Sequence, residues 1–181
     1  MDDNLRDRVA EALKVPAVKN ARYVEVRVEE SEGTHIRYRG RDLEDIGRTS
    51  GLGGCVRALA GGGWGFVSFN NLDRLPEAVS TAVRNARLVG GERVSLAPVE
   101  PVVDIVPPLV RKDPLAIPIQ EKKAILDQYI DIIWTTEGIT SSFLAYGDGR
   151  KSVLFANSEG TLVHQAKVDV VFRASAVARD G

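Results

Sequence analysis

The sequence predicts an α+β fold in which antiparallel sheets pack against about three helices. Charged side chains alternate with three valines over Tyr23–Glu29, as expected of an antiparallel strand with one face in water. Apolar residues instead recur at helical spacing over Leu75–Ala86. The order of a helix followed by strands occurs twice, although side-chain identities do not repeat. We therefore predict two helix-plus-meander halves.

The first half, residues 1–97, is expected to hold a helix, four strands and a second helix. The first helix is predicted over residues 3–15, where Asp2 or Asp3 can cap the free amides and Pro16 ends it. Turns are expected at 31–34 and at 61–63, where glycines permit tight hairpins. The second helix is capped by Asp73 and ends at Gly90. The predicted strands are Tyr23–Glu29, His35–Arg39, Cys55–Ala60 and Trp64–Phe69.

The second half, residues 119–181, follows a connector at 98–118 that contains six of the eight prolines. Because proline lacks a backbone donor, the connector is expected to be linker or edge structure. A helix is predicted from Pro118 to Trp134, and its apolar stripe is Ile125, Leu126, Tyr129, Ile130 and Ile133. Turns at 147–149 and 157–160 should separate three strands, Ser141–Tyr146, Ser152–Ala156 and one from Leu162 onward. We expect this half to continue beyond residue 181.

Composition excludes several classes of function. The 24 basic and 25 acidic side chains give a net charge of −1, without the cationic excess that nucleic-acid binding requires. One cysteine and two histidines cannot form a disulfide framework or a zinc finger and are a poor set for a catalytic metal. No apolar run approaches the length of a membrane span, and the acidic N-terminus does not resemble a signal peptide. We expect a cytoplasmic protein with neither nucleic-acid nor membrane partners.

No catalytic, cofactor or metal site is predicted within this chain. The glycines of Gly51–Gly54 precede a predicted strand rather than the helix that a dinucleotide fingerprint requires, so they favour structural turns. His35 and His164 lack acidic neighbours at helical spacing and are expected to be solvated or hydrogen-bonded. Cys55 is expected to be buried and unreactive.

Two surface features leave alternatives open. Arg37, Arg39 and Arg41 alternate along a strand and could contact an anion or a peptide carboxylate. Acidic residues follow at once over 42–45, so a solvated face with local ion pairs is the other interpretation. Trp64 and Phe66 alternate on one strand face and indicate either core or an interface.

The segment from Gly51 to Asn70, with its Gly-Trp-Gly-Phe hairpin, is followed by an alanine-rich helix that ends in Asn85-Ala-Arg87. Together with the strand pair at Val24–Tyr38 and the phrase Phe155-Ala-Asn-Ser-Glu-Gly160, it resembles the N-terminal domain of the TldD/PmbA family. That family is also labelled modulator of DNA gyrase and is classed with metallopeptidases. The resemblance covers nearly the whole chain.

This resemblance implies a cytoplasmic, zinc-dependent protease that threads unfolded or flexible peptides into a closed cleft. It also implies a homodimer or a TldD/PmbA-type heterodimer. In such families a His-Glu-x-x-x-His helix and a later cysteine lie in a C-terminal domain, and this sequence contains no such motif. We therefore expect a non-catalytic scaffold, dimerisation and peptide-cleft domain, with zinc held elsewhere in a longer parent. The alternative is a non-catalytic binding or regulatory module, such as a PmbA-like partner subunit or a topoisomerase modulator.

Overall fold

The computed structural model describes residues 3–92 and 94–179. Within that part of the chain, three α-helices accompany one six-stranded, mostly antiparallel sheet, which confirms the predicted α+β class. Asp2, one of the two expected caps of the first helix, lies outside the described residues, as do the side chain of Asp3 and the terminal Gly181.

The helices are α1 (Asp3–Ala12), α2 (Leu75–Val89) and α3 (Ile119–Thr135). The strands are β1 (Tyr23–Arg39), β2 (Asp42–Ala60), β3 (Gly63–Phe69), β4 (Val103–Val106), β5 (Ile139–Asn157) and β6 (Leu162–Ala178). Their order across the sheet is β3-β2-β1-β5-β6-β4. The short β4 lies in the proline-rich connector and pairs in parallel with the first residues of β6.

Two predicted turns are wrong, because β1 and β5 run unbroken through 31–34 and 147–149. The glycines at these places serve a close approach of neighbouring strands. A Cβ on Gly33 would lie 2.7 Å from the carbonyl oxygen of Asp148, and one on Gly149 would lie 3.3 Å from that of Glu32. Glycine here removes a steric obstacle to strand pairing and does not reverse the chain.

The chain forms two compact units, each built from three separate segments. Unit 1 comprises residues 1–30, 51–107 and 152–166, and unit 2 comprises residues 31–50, 108–151 and 167–181. The sequence predicted two contiguous halves with a boundary at 98–118, whereas each compact unit combines three segments. The two divisions differ because β1, β2, β5 and β6 are 17 to 19 residues long and each contributes residues to both units.

In unit 1, α1 and α2 pack on one face of the sheet. The predicted apolar stripe of α2 is buried, together with the alternating residues of β1 and β2; they include Val24, Val26, Val28, Val56, Ala58, Val79, Ala82 and Val83. The prediction that the Asp73 side chain caps α2 is wrong. The Asn71 side chain accepts a hydrogen bond from the Asp73 amide at 2.8 Å and caps a short 3₁₀ turn that leads into α2.

In unit 2, α3 packs through Leu126 and Ile130 on the sheet residues Ile36, Tyr38 and Leu144. The predicted buried stripe of α3 is partly wrong, because Ile125 and Tyr129 are exposed. The buried stripe instead includes Lys122, which lies four residues before Leu126. The inward-facing side of α3 is thus defined by Lys122, Leu126 and Ile130. An assignment from apolar residues alone misses it because it leaves the lysine out.

No helix in residues 3–92 and 94–179 combines the length and the apolar character needed to cross a membrane.

Candidate functional site

The predicted arginine row lies in unit 2 beside the acidic start of β2. Arg37 Nη2 is 2.6 Å from Asp45 Oδ2, and Arg39 Nε is 3.0 Å from Glu44 Oε1. His35 Nε2 approaches the same Asp45 oxygen at 3.3 Å. The hydrogen bond from Arg37 lowers the pKa of the Asp45 carboxyl. An incoming anion would have to compete with these carboxylates.

Arg41 lies past the end of β1 and has a different role from the other two arginines. Its guanidinium is 5.3 Å from the centroid of the Trp134 ring, and Nη2 donates to the Trp134 carbonyl oxygen at 3.4 Å. The indole nitrogen of Trp134 donates to Ser142 Oγ at 3.0 Å. An anion or peptide contact at Arg37, Arg39 and Arg41 stays a prediction.

A cluster of aromatic and charged side chains covers the unit 1 sheet face that is turned away from α2. We call Tyr23, Arg57, Trp64 and Phe66 the aromatic face. Trp64 is 38% exposed and Phe66 is 59% exposed, so they do not belong to the core. The intervening Gly65 lies on the opposite face, against α2: a Cβ at this position would meet the Ala82 carbonyl oxygen. Their exposure excludes the core interpretation of this aromatic pair, and the interface interpretation stays a prediction.

Ring contacts and hydrogen bonds order three side chains of the aromatic face, Tyr23, Arg57 and Trp64. The Arg57 guanidinium lies 5.0 Å from the Trp64 ring centroid, and its Nε pairs with Glu25 Oε1 at 2.8 Å. The Tyr23 ring meets Trp64 edge-on with centroids 6.3 Å apart, and the Tyr23 hydroxyl donates to Glu25 Oε2 at 2.8 Å. Burial, reinforced by this hydrogen bond, raises the pKa of Tyr23 to about 12.

The composition and order of the aromatic face suit molecular recognition. Trp, Tyr and Arg are the residue types enriched among the strongest contacts of protein interfaces. Because Glu25 and the ring contacts already restrict Arg57, Trp64 and Tyr23, a ligand would lose little side-chain entropy on binding there. The sequence indicated the aromatic pair but gave no signal that Tyr23 and Arg57 join it.

A serine–histidine pair occurs in unit 1 that sequence reasoning missed. Ser152 Oγ lies 2.7 Å from His164 Nε2, which links β5 to β6. The Ser152 side chain is buried, and burial lowers the pKa of His164. Within residues 3–92 and 94–179 no carboxylate hydrogen-bonds to this histidine. We interpret the pair as a cross-strand hydrogen bond, since a triad needs an accessible nucleophile and an orienting third group.

The single thiol offers no nucleophile either. Cys55 is half-buried, and burial raises the pKa of its thiol. A raised pKa keeps the sulfur protonated at neutral pH, whereas the thiolate is the reactive form.

Unit 2 contains a buried ionic cluster around Lys122. Its Nζ lies 2.5 Å from Asp148 Oδ2 and donates to Thr34 Oγ1 at 3.2 Å. The Tyr146 hydroxyl donates to the same Asp148 oxygen at 2.6 Å, and burial together with this contact raises the pKa of Tyr146. The other Asp148 oxygen, Oδ1, is buried without a hydrogen-bond partner among the described residues. Sequence reasoning missed this cluster. The feature that could have indicated it is the position of Lys122, four residues before the apolar Leu126 and hence on the same side of α3.

The described residues do not fit a metal site. No group of three His, Cys, Asp or Glu side chains within them lies close enough together to hold an ion. The carboxylate of Asp148, the most deeply buried one, is already paired with a lysine. We derive no metal-dependent step from this part of the chain.

Comparisons with known families match most of the sequence. Residues 24–86 match the first domain of PmbA/TldA metallopeptidases, and residues 112–181 match the central domain of the same metallopeptidases.

Curated relatives include proteins named metalloproteases. One from Synechocystis sp. is 40% identical over 163 residues, a stretch that covers 89% of this chain and 35% of that protein. Another, from Methanothermobacter thermautotrophicus, is 29% identical over 161 residues, covering 88% of this chain and 35% of that protein. The chain thus spans about a third of the length of the curated relatives it matches.

Solved structures share the fold at low sequence identity. A proposed modulator of a DNA gyrase from Thermotoga maritima superposes with a TM-score of 0.78 at 16% identity, covering 97% of this chain and 40% of that one. TldE from Thermococcus kodakarensis gives a TM-score of 0.72 at 17% identity, covering 96% of this chain and 40% of that one.

Proposed function

The chain belongs to the PmbA/TldD family, and from this premise we propose that it is the N-terminal scaffold of a zinc-dependent protease. The observation that carries the proposal is the pair of matches, to the first and the central metallopeptidase domains, in a chain that spans 35% of its metalloprotease relative from Synechocystis. In this proposal the zinc ligands lie in the remaining part of such a protein. The chain itself holds no catalytic residue.

We further propose that the scaffold contributes to dimerisation and to a peptide cleft in the cytoplasm. The dimer is a homodimer or a TldD/PmbA-type heterodimer, and the substrate is an unfolded or flexible peptide. The aromatic face supports the cleft role, because its exposed rings and the Arg57 guanidinium suit apolar and acidic groups of an extended peptide. Addition of the peptide as a further strand is a second physical route to binding.

A non-catalytic binding or regulatory module is the second candidate. The aromatic face also favours it, since a surface of this composition can hold a protein partner without any metal. The two candidates differ in what the gene encodes after residue 181. A downstream His-Glu-x-x-x-His motif supports the protease scaffold, whereas a stop codon supports the binding module.

The scaffold proposal predicts that the 181-residue chain alone does not hydrolyse peptides. We expect incubation with an unfolded casein substrate, with and without added ZnCl₂, to release no more fragments than buffer does. The positive control is a parent chain that carries the downstream motif under the same conditions. Zinc-dependent cleavage by the purified 181-residue chain that chelation abolishes would refute the proposal.

The cleft proposal predicts that Trp64→Ala weakens peptide binding. Loss of a central tryptophan contact should raise the dissociation constant of a flexible, apolar peptide about tenfold or more, measured by fluorescence anisotropy of a labelled peptide. Leu88→Ala is the matched control, because Leu88 is an exposed apolar residue of the same unit that lies on α2. Equal affinities of W64A and L88A would contradict a role for the aromatic face.

A further inference from the structure

The second part of β6 presents an unpaired strand edge. β6 lies between β5 and β4, but β4 covers only residues 162–165. Within residues 3–92 and 94–179 no strand pairs with the other edge of residues 167–178, which belong to unit 2. A free edge of this length is a template for pairing with another chain.

The two edges of the unit 2 sheet differ in character. The β2 edge carries Asp42, Glu44 and Asp45, and edge charges of this kind are a common protection against strand pairing. The β2 edge also exposes Leu43 and Ile46, but β6 presents a continuous exposed apolar run, Val170, Val171 and Phe172, followed by Val177. Its charges are of both signs, Asp169 and Arg173, so they can pair with a copy of the same strand. The β6 edge is therefore the better suited of the two for association with a second copy.

We propose that residues 167–178 pair antiparallel with the same residues of a second copy, about a two-fold axis through Val171. This inference specifies the dimerisation role proposed above. In that register Asp169 of each copy lies opposite Arg173 of the other, so two opposite-charge pairs form on one face. Val170 lies opposite Phe172 on the other face, a favourable pair of β-branched and aromatic residues.

Neighbouring registers lose this complementarity. A two-fold axis through Val170 would place Lys167 opposite Arg173, a pair of like charges. An axis through Phe172 would place Asp169 opposite Ser175. Axes between residues would bring side chains from opposite faces together, which the pleat forbids.

The same symmetry also places an apolar stripe of α3 beside the paired strands. Ile125, Tyr129 and Ile132 are exposed along one side of this helix, and the Tyr129 ring lies 5.2 Å from the Phe172 ring. A two-fold axis perpendicular to the sheet keeps the α3 helices of both copies on the face of the Val170 and Phe172 pairs. The paired strands would thus extend the apolar surface beside each helix.

A cysteine at the axis tests the register. Antiparallel partners directly opposite each other have Cα atoms about 4.5–5.5 Å apart, within the range of a disulfide. In a Cys55→Ser background we expect Val171→Cys to form a covalent dimer on mild oxidation, as seen by non-reducing electrophoresis. Ser175→Cys, on the same face, should stay uncross-linked, because its two copies would lie ~27 Å apart. Equal cross-linking of both variants, or none of V171C, would overturn the register.

Charge reversal tests the interface itself in the 181-residue chain by sedimentation equilibrium. Asp169→Arg or Arg173→Asp alone places like charges opposite each other, and we expect the dimerisation constant to weaken at least tenfold. The D169R chain mixed with the R173D chain should recover a 1:1 dimer, while Asp42→Arg on the β2 edge should leave association unchanged. A monomeric unsubstituted chain, or a dimer insensitive to both reversals, would refute the interface. Either result leaves the scaffold role standing, since the zinc-dependent hydrolysis assay tests that role separately.

Discussion

Replacing Lys122 by methionine is expected to lower the free energy of unfolding of unit 2 by about 3–5 kcal/mol. Lys122 is 3% exposed and its partner Asp148 is fully buried. Methionine keeps the aliphatic volume but leaves the carboxylate without its cation. Asp148 Oδ1 already lacks a hydrogen-bond partner among the described residues. In K122M the Asp148 carboxylate would therefore keep, of the donors observed here, the Tyr146 hydroxyl.

The two tryptophans allow each unit to be followed by itself. Trp64 lies in unit 1 and Trp134 in unit 2, and the chain contains no others. In a Trp64→Phe background, the fluorescence of Trp134 during urea denaturation therefore reports on unit 2. We expect K122M to shift the midpoint strongly toward lower urea concentration, with the slope of the transition nearly unchanged.

Two further variants separate the buried pair from a general loss of charge. Lys123→Met removes the neighbouring ammonium, which pairs with the more exposed Asp127 at 2.7 Å, and should cost less than about 1 kcal/mol. Adding Asp148→Asn to K122M removes the uncompensated charge and should recover part of the lost stability. Equal effects of K122M and K123M would show that the buried pair contributes nothing particular to unit 2.

The sequence predicted those elements whose signal is local. The stripe of α2 follows from six apolar residues at helical spacing, and it is buried as expected: Leu75, Ala78, Val79, Ala82, Val83 and Ala86. The hairpin between β2 and β3 follows from Gly61 and Gly62, which adopt φ values of 63° and 81°. Such features are decided by neighbours within a few residues.

The sequence misled where a distant neighbour decides the conformation. Gly33 and Gly149 look like turn residues, yet they are extended and allow β1 and β5 to approach each other. Lys122 looks like a surface residue of α3, yet it is buried because Asp148 lies opposite it in space. Neither partner is near in the sequence, so periodicity alone could not identify them.

The candidate sites show the same division. Ion pairs along the arginine row could be anticipated, because Glu44 and Asp45 follow Arg37 and Arg39 within a short stretch of chain. The aromatic face could be anticipated only in part. Trp64 and Phe66 are adjacent on one strand, but Tyr23 and Arg57 come from other strands.

Gly65→Ala is expected to destabilise unit 1 by about 3 kcal/mol, at the upper end of what overpacking commonly costs. A Cβ at this position would lie 2.0 Å from the Ala82 carbonyl oxygen and 2.6 Å from the Ala86 amide nitrogen, both in the backbone of α2. Backbone atoms cannot swing aside as a flexible side chain does, so α2 must move off β3. In a Trp134→Phe background, Trp64 fluorescence during urea denaturation measures the loss.

Gly53→Ala is the matched control in β2, because its Cβ would meet nothing closer than the Phe69 carbonyl oxygen at 3.4 Å. We expect that variant to stay within about 1 kcal/mol of the unsubstituted chain. A G65A chain as stable as G53A would mean that α2 does not press on β3. The glycines of the Gly-Trp-Gly-Phe segment would then serve the hairpin alone, and the outward position of Trp64 and Phe66 would need a different cause.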